Sequence, residues 1–121
     1  MLGWVALAGA AGALARFGVH AVVQSRAASQ FPFGTIVVNL TGSFALGVLV
    51  GLVTYQGLST EARTIVGTGF LGAYTTFSSF SYDSFGLFEA GARRHAGVNA
   101  VGSVAIGLLA ATAGFVLAGL L

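Results

Sequence analysis

The chain has 121 residues, of which 56% are hydrophobic and only 7% are charged, and it contains no cysteine. Soluble domains carry about 25% charged residues, so this composition excludes a soluble surface and indicates an integral membrane protein. The missing cysteines exclude disulfides, thiolate metal sites and a cysteine nucleophile. The net charge of +2 comes from too few groups to form a nucleic-acid patch.

Four apolar segments follow one another, each close to the ~20 residues that a membrane-spanning helix needs. They cover approximately Leu2–Val23, Gly34–Thr54, Thr64–Phe88 and Val98–Leu121. The connections are short, and the first ends at Pro32, a residue well placed just before a helix start. We therefore predict one all-α domain, residues 1–121, with four transmembrane helices.

Small residues recur on one face of the first, second and fourth helices. They are Gly9, Gly12 and Ala13 before Arg16 in the first, Gly47 and Gly51 in the second, and Gly107, Ala111 and Gly114 after Asn99 and Ser103 in the fourth. Such residues let membrane helices approach closely. Because four short helices cannot enclose a pore alone, these faces predict an oligomer. Arg16 itself has two interpretations, snorkelling to the interface or attracting anions into a vestibule.

The second helix carries Thr35, Asn39 and Ser43 at i, i+4 spacing, and therefore on one face. Asn39 alone fits a clamp on a neighbouring helix as well as a place in a polar path. Thr35 and Ser43 can each bond back to carbonyls of their own helix. The stripe as a whole favours a polar track.

The third segment contains an unusual hydroxyl-rich stretch, Gly72–Ser81. Polar groups at membrane depth usually mark a substrate or ion path. Because Gly67, Gly69 and Gly72 weaken the helix, we expect a break near residues 72 to 76 and a second half-helix from about Phe77. Irregular backbone at membrane depth must be buried or line a water-filled path, and freed carbonyls suit a hard cation. The alternative is a simple kink.

Phe77 and Phe80 lie one turn apart on this second half-helix, among Ser78 and Ser81. Phenylalanine in a membrane helix normally packs. A ring edge, however, carries partial positive charge and can face a small anion. Asp83, near the end of this helix, is expected to cap the helix or face water.

The apolar cores of the first, second and fourth helices contain no carboxylate. Proton-coupled carriers usually depend on such a group, so its absence favours a passive channel over a small multidrug antiporter. A second alternative is a scaffold whose glycines only pack helices, but this leaves the polar groups unexplained. An enzyme is disfavoured because no nucleophile–base pair or metal cluster is present.

Three motifs occur in order and at consistent separations. They are Gly9-x-x-Gly12-Ala13-x-x-Arg16-Phe17, Pro32-x-Gly34-Thr35 followed by Asn39-x-x-Gly42-Ser43-Phe44-x-x-Gly47, and Gly69-x-x-Gly72 followed by Thr75-Thr76-Phe77-Ser78-Ser79-Phe80-Ser81. Together with Asn99, Ser103 and Gly107, they resemble the small fluoride channel family, the four-helix proteins known as CrcB or Fluc. The third motif departs from the family at Ala73 and Tyr74.

The resemblance implies a passive, fluoride-selective channel that exports fluoride across the inner (plasma) membrane. It implies an antiparallel, dual-topology homodimer with two pores, and the few arginines, which give only a weak orientation bias, agree with that arrangement. It also implies a structural sodium ion held by the backbone carbonyls of Gly72 and Thr75. The residues it assigns to the pore are Asn39, Phe77, Phe80, Ser81 and Ser103, with Arg16 at a vestibule.

Overall fold

The computed structural model describes residues 1–27, 29 and 31–121; Ala28 and Gln30, in the predicted first loop, lie outside the described residues. The described residues form helices and connecting loops only, which confirms the all-α fold class. The elements are α1 (Leu2–Ala27), α2 (Phe33–Gln56), α3 (Thr60–Arg63), a π-helical segment (Thr64–Leu71), α4 (Gly72–Tyr74), α5 (Phe77–Glu89) and α6 (Arg93–Gly119).

Three helices, α1, α2 and α6, are long and apolar enough to cross a membrane. The predicted third segment is not one helix but a succession of α3, the π-helical segment, α4 and α5. The long helices also extend beyond their apolar cores, since α1 continues to Ala27 past the expected Val23 and α6 begins at Arg93 rather than Val98. Hydropathy marks the part of a helix that suits lipid, whereas the backbone hydrogen bonds continue into the polar residues at each end.

The two most apolar of the long helices, α2 and α6, pack with their backbones almost in contact. A Cβ atom on Gly47 would overlap the carbonyl group of Ala111, and one on Gly114 would overlap the carbonyl oxygen of Phe44. The glycines of both helices therefore serve close packing inside one chain. These contacts account for Gly47 and Gly114 without a second copy, and the oligomer stays a prediction.

The glycine face of α1 is also used within the chain. A Cβ on Gly12 would overlap the carbonyl of Phe70 in the π-helical segment, and one on Gly9 would lie 3.7 Å from the carbonyl oxygen of Gly69. Gly69 in turn lies against the backbone of Val5 and the methyl of Ala8. Close approach of two backbones thus fixes the first half of the third segment against α1.

The third segment begins and widens for identifiable reasons. Gly57 ends α2 in the left-handed conformation, with φ of 67°, and the Ser59 hydroxyl then accepts the amide hydrogen of Ala62, 3.2 Å away, at the start of α3. From Thr64 to Leu71 the helix is of the π type. The sequence indicated a weakened helix here from Gly67 and Gly69, but it did not predict this widened form, which is typical of functional sites.

Candidate functional site

The third segment is interrupted at two residues. Helix α4 ends at Tyr74, Thr75 and Thr76 are extended with ψ of 156° and 113°, and α5 begins at Phe77. The predicted break and the start of the second half-helix are therefore both confirmed. A backbone interruption of this kind exposes main-chain polar groups that need partners elsewhere.

Asn39 of α2 supplies those partners. Its Oδ1 accepts the amide hydrogen of Thr76 at 2.8 Å, and its Nδ2 donates to the carbonyl oxygen of the same residue at 3.0 Å. One side-chain amide thus satisfies both main-chain groups of Thr76. Of the two interpretations of Asn39, the clamp on a neighbouring helix is observed. Since an amide nitrogen carries two protons, the clamp leaves a second N–H for another acceptor.

The same rearrangement removes the usual partners of two carbonyl groups. In an unbroken α-helix the Thr76 amide would donate to Gly72 and the Ser79 amide to Thr75. Here the Thr76 amide donates to Asn39, and the Ser79 amide donates to the Thr76 hydroxyl at 3.1 Å. The carbonyl oxygens of Gly72 and Thr75 therefore lose their helical donors, and oxygens of this kind suit a hard cation.

Several hydroxyls of the polar stretch stabilise the break itself. The Thr75 hydroxyl donates to the carbonyl oxygen of Leu71 at 3.0 Å, and the Thr76 hydroxyl caps α5 and lies 3.2 Å from that of Ser78. Tyr74, the bulkiest residue of the polar stretch, is buried, and its hydroxyl lies 2.9 Å from Thr41 Oγ1. The bulky ring is thus accommodated inside the chain beside the break.

A groove of about 470 Å³ opens beside the break, between α2, α6 and both halves of the third segment. Among the described residues, its lining contains no acidic, basic or histidine side chain. The lining includes six of the residues assigned from the sequence, namely Asn39, Gly72, Thr75, Phe77, Phe80 and Ser103. Residues from 39 to 103 along the chain thus meet at one uncharged, partly polar surface.

The two phenylalanines form one wall of this groove. Their ring centroids are 5.7 Å apart and the ring planes are inclined by 47°. Phe77 is 78% exposed, whereas Phe80 is half-buried. The inclination leaves ring edges as well as faces available, and the edges carry the positive part of the aromatic quadrupole.

Two assigned residues lie elsewhere. Ser81 is half-buried on α5 and Arg16 is half-buried on α1, and neither belongs to the described lining of the groove. Arg16 comes one turn after Gly12, the residue that contacts Phe70, so it lies on the same face of α1. The groove does not include these two residues, and the pore, vestibule and ion-binding roles of all the assigned residues stay predictions.

A second polar cluster holds α5 further along its length. The Thr35 hydroxyl donates to Asp83 Oδ2 at 2.8 Å, and Asn99 Nδ2 donates to Ser84 Oγ at 2.7 Å. Thr35 and Asn99 are 2% and 1% exposed. The expectation that Asp83 caps the helix or faces water is therefore wrong. The Thr35 hydroxyl bonds to Asp83 and not to a carbonyl of its own helix. The sequence showed both polar stripes but not which side chain each one meets.

Known proteins match this chain over the region that contains the break and the groove. Residues 3–115 match the profile of the family described as CrcB-like protein, Camphor Resistance (CrcB). The chain is 46% identical over 116 residues to fluoride-specific ion channel FluC 1 of Leifsonia xyli subsp. xyli, covering 96% of this chain and 85% of the relative. It is 46% identical over 120 residues to FluC 1 of Symbiobacterium thermophilum, covering 96% and 97%.

A third relative, fluoride-specific ion channel FluC of Thermus thermophilus, is 43% identical over 117 residues, covering 97% of this chain and 94% of the relative. The matches thus include all the helices, the break and the groove. Together with three helices suited to cross a membrane, they identify a multi-pass membrane protein. The chain belongs to the CrcB family.

Proposed function

We propose that this protein is a fluoride-selective passive channel that exports cytoplasmic fluoride and so reduces its toxicity. The observation that carries the proposal is the uncharged groove beside the break, where Asn39, Phe77, Phe80 and Ser103 meet. The relatives named as fluoride-specific ion channels support the choice of anion. A weak acid such as HF enters from acidic surroundings and dissociates inside, and the channel releases the trapped anion.

The chemistry of the groove suits a small, strongly hydrated anion. Conduction requires partners that replace water yet release the ion. The second N–H of Asn39, the ring edges of Phe77 and Phe80 and the Ser103 hydroxyl are such weak partners, and none is a full cation. The N-terminus of α5, at Phe77, adds the positive end of a helix dipole at the same place. We assign the pore to these residues together with Ser81.

A groove with one open side cannot isolate an ion from lipid, so we propose that a second copy of the chain covers it. Phe77, at 78% exposure, lies on the side that the partner would cover. The few arginines give only a weak orientation bias, which is compatible with an antiparallel, dual-topology homodimer carrying two pores. Gly47 and Gly114 pack within the chain, so of the α6 face a partner would meet only the part that lines the groove, at Gly107 and Ala111.

Sodium is the structural ion we propose for this assembly. The carbonyl oxygens of Gly72 and Thr75 have lost their helical donors, and hard cations prefer oxygen ligands. These two oxygens are fewer than a cation needs, so we propose that a second copy completes the ligand set. When bound, the ion would supply a positive charge that attracts the partial negative charges of these carbonyl oxygens and so would stabilise the position of the break.

The test is fluoride release from liposomes. The purified protein is reconstituted into vesicles loaded with potassium fluoride, valinomycin is added, and a fluoride electrode follows the efflux. We expect rapid fluoride release, and none of chloride when potassium chloride is loaded and a chloride electrode is used. A folded, reconstituted protein that releases no fluoride would contradict the proposal.

The Phe77→Ile variant tests the assigned wall. Isoleucine keeps an apolar side chain but removes the ring edge, so we expect fluoride release to fall at least about tenfold while assembly is unchanged. The matched control is Phe85→Ile, on the same helix, 61% exposed and outside the described lining of the groove. Equal rates for both variants would remove Phe77 from the pore.

A further inference from the structure

A fully buried amide lies directly behind the groove. Asn99 of α6 is 1% exposed and is not part of the described lining, whereas Ser103, one turn further, is. The amide joins two hydroxyls: Nδ2 donates to Ser84 Oγ at 2.7 Å, and Oδ1 accepts from Ser103 Oγ at 3.4 Å. Asn99 thus connects a residue of the groove to the half-helix α5.

This arrangement decides what Ser103 can offer to an ion. A serine hydroxyl has one proton and two lone pairs. While that proton points to Asn99 Oδ1, the Ser103 oxygen presents only its lone pairs to the groove, and lone pairs repel an anion. At 3.4 Å the bond is longer than the usual O–H···O distance, so it is the weaker of the two contacts of the amide.

Reversal of the amide changes the direction of the proton without losing a hydrogen bond. In the reversed orientation Oδ1 accepts the hydroxyl proton of Ser84, and Nδ2 donates to Ser103 Oγ. The number of hydrogen bonds is the same, because each serine can donate or accept. The Ser103 proton is then free to point into the groove, and donation to Ser103 Oγ polarises that hydroxyl further.

We propose that Asn99 is a positioning residue that sets the direction of the Ser103 hydroxyl, presenting its proton to an anion through reversal of the Asn99 amide. This inference depends on the proposed function, since it gives Ser103 an anion to meet. Asn99 does not touch the ion; it acts through Ser103. Rotation of the Ser103 hydroxyl alone would leave buried Oδ1 with no donor, which is unfavourable.

Asn99→Asp separates this role from simple attachment of α5 to α6. A carboxylate has the same shape and accepts from both serines, but it cannot donate to Ser103, so the proton stays turned away from the groove. We expect fluoride release to fall about 30-fold or more, the effect of a lost donor to a partly buried charged partner. Asn99→Leu removes the acceptor of the Ser103 proton, which can then point into the groove, and we expect fluoride release to fall by less than about tenfold.

Coupling to Ser103 gives the decisive readout. If Asn99 acts through that hydroxyl, Asn99→Asp in a Ser103→Ala background adds less than about threefold to the loss from Ser103→Ala alone. A negative charge acting directly on the ion would instead give the full loss in both backgrounds, and this result would overturn the proposal. A greater loss for leucine than for aspartate would also overturn it, in favour of plain attachment.

Ser84→Ala provides a milder variant that is safer for folding. It removes the second partner of the amide but leaves Asn99 able to donate to Ser103, so release should stay within about threefold of the unchanged protein. A loss as large as that of Asn99→Asp would make the α5–α6 link, rather than the direction of the Ser103 proton, the function of Asn99. If the unchanged protein releases no fluoride, the proposed function fails first, and that outcome is separate from these comparisons.

Discussion

The α2–α6 interface and the third segment are held in opposite ways. Between α2 and α6, glycines lie against carbonyl groups of the facing helix, as Gly47 does at Ala111 and Gly114 at Phe44. Helix α5, in contrast, has no fully buried residue, and side-chain hydrogen bonds attach it: Asn39 to Thr76, Thr35 to Asp83 and Asn99 to Ser84.

The difference separates the part of the molecule that maintains the fold from the part that we propose meets the ion. Where a glycine touches a facing backbone, there is no room for an added atom. A polar group that loses one hydrogen-bond partner can instead bond to another donor or acceptor. The polar groups of α5 and the break can therefore be altered with the long helices still packed. Substitutions in the first region should lower stability, and substitutions in the second should lower conduction.

Gly47→Ala is expected to have the largest effect on stability. The new methyl group would overlap the carbonyl of Ala111, which belongs to a helix backbone and cannot move aside. Overpacking of this kind costs about 1–3 kcal/mol, so the melting temperature of the purified protein should fall clearly. Gly18→Ala, with nothing within 4 Å of the new atom, is the matched control and should be neutral or slightly stabilising. Equal melting temperatures would show that α2 and α6 do not depend on this contact.

Asn39→Asp should abolish conduction and leave the helices intact. Aspartate still accepts the Thr76 amide, but it cannot donate to the Thr76 carbonyl, and it places two acceptors face to face beside a new negative charge. We expect fluoride release to fall about 100-fold or more, because an unsatisfied buried group costs about 1–3 kcal/mol and a charged one more. The measurement is efflux, with circular dichroism to check helix content.

Thr41→Val is the control for that variant. Thr41 lies on the same helix and touches Tyr74 beside the break, but it is outside the described lining of the groove. Its replacement removes a part-buried hydrogen bond to Tyr74 but changes no group that lines the groove, so release should change by less than about threefold. If Thr41→Val lowered fluoride release as much as Asn39→Asp, conduction would depend on any contact near the break, and no specific role would remain for Asn39.

The sequence predicted those features that arise from local chemistry. Glycines at 67, 69 and 72 before two β-branched residues indicated the break, and the spacing of Phe77 and Phe80 placed both on the following half-helix. These properties depend on neighbours along the chain, which a single sequence contains. The motifs, by resemblance, also selected six of the residues that meet in the groove.

The pairing of polar groups was not predicted, because it depends on how helices are rotated against one another. A bond to its own helix was one interpretation of Thr35, and Asp83 was expected to cap or face water, yet they bond to each other 48 positions apart. The glycine faces were likewise used to predict an oligomer, and the structure shows Gly12, Gly47 and Gly114 packed between helices of one chain. Small residues indicate close approach but carry no record of which helix approaches.

Asp83→Asn is expected to have only a small effect on release, and it separates the channel from a proton-coupled carrier. The structure places this carboxylate in a half-buried position against Thr35, where a carrier could hold a proton. Asparagine keeps an oxygen that accepts the Thr35 hydroxyl, so the contact survives without the charge. A passive channel needs no proton-binding group, and release should fall less than about fivefold.

The same contact can also be altered at its donor, Thr35. Thr35→Val removes the donor and leaves the Asp83 carboxylate half-buried without its partner, which costs more than removal of the charge, by about 1–3 kcal/mol. A channel therefore predicts that Thr35→Val is the more damaging of the two variants and that neither makes release depend on a pH gradient. A carrier predicts the reverse order, with transport abolished in Asp83→Asn, because the group that exchanges the proton is then missing.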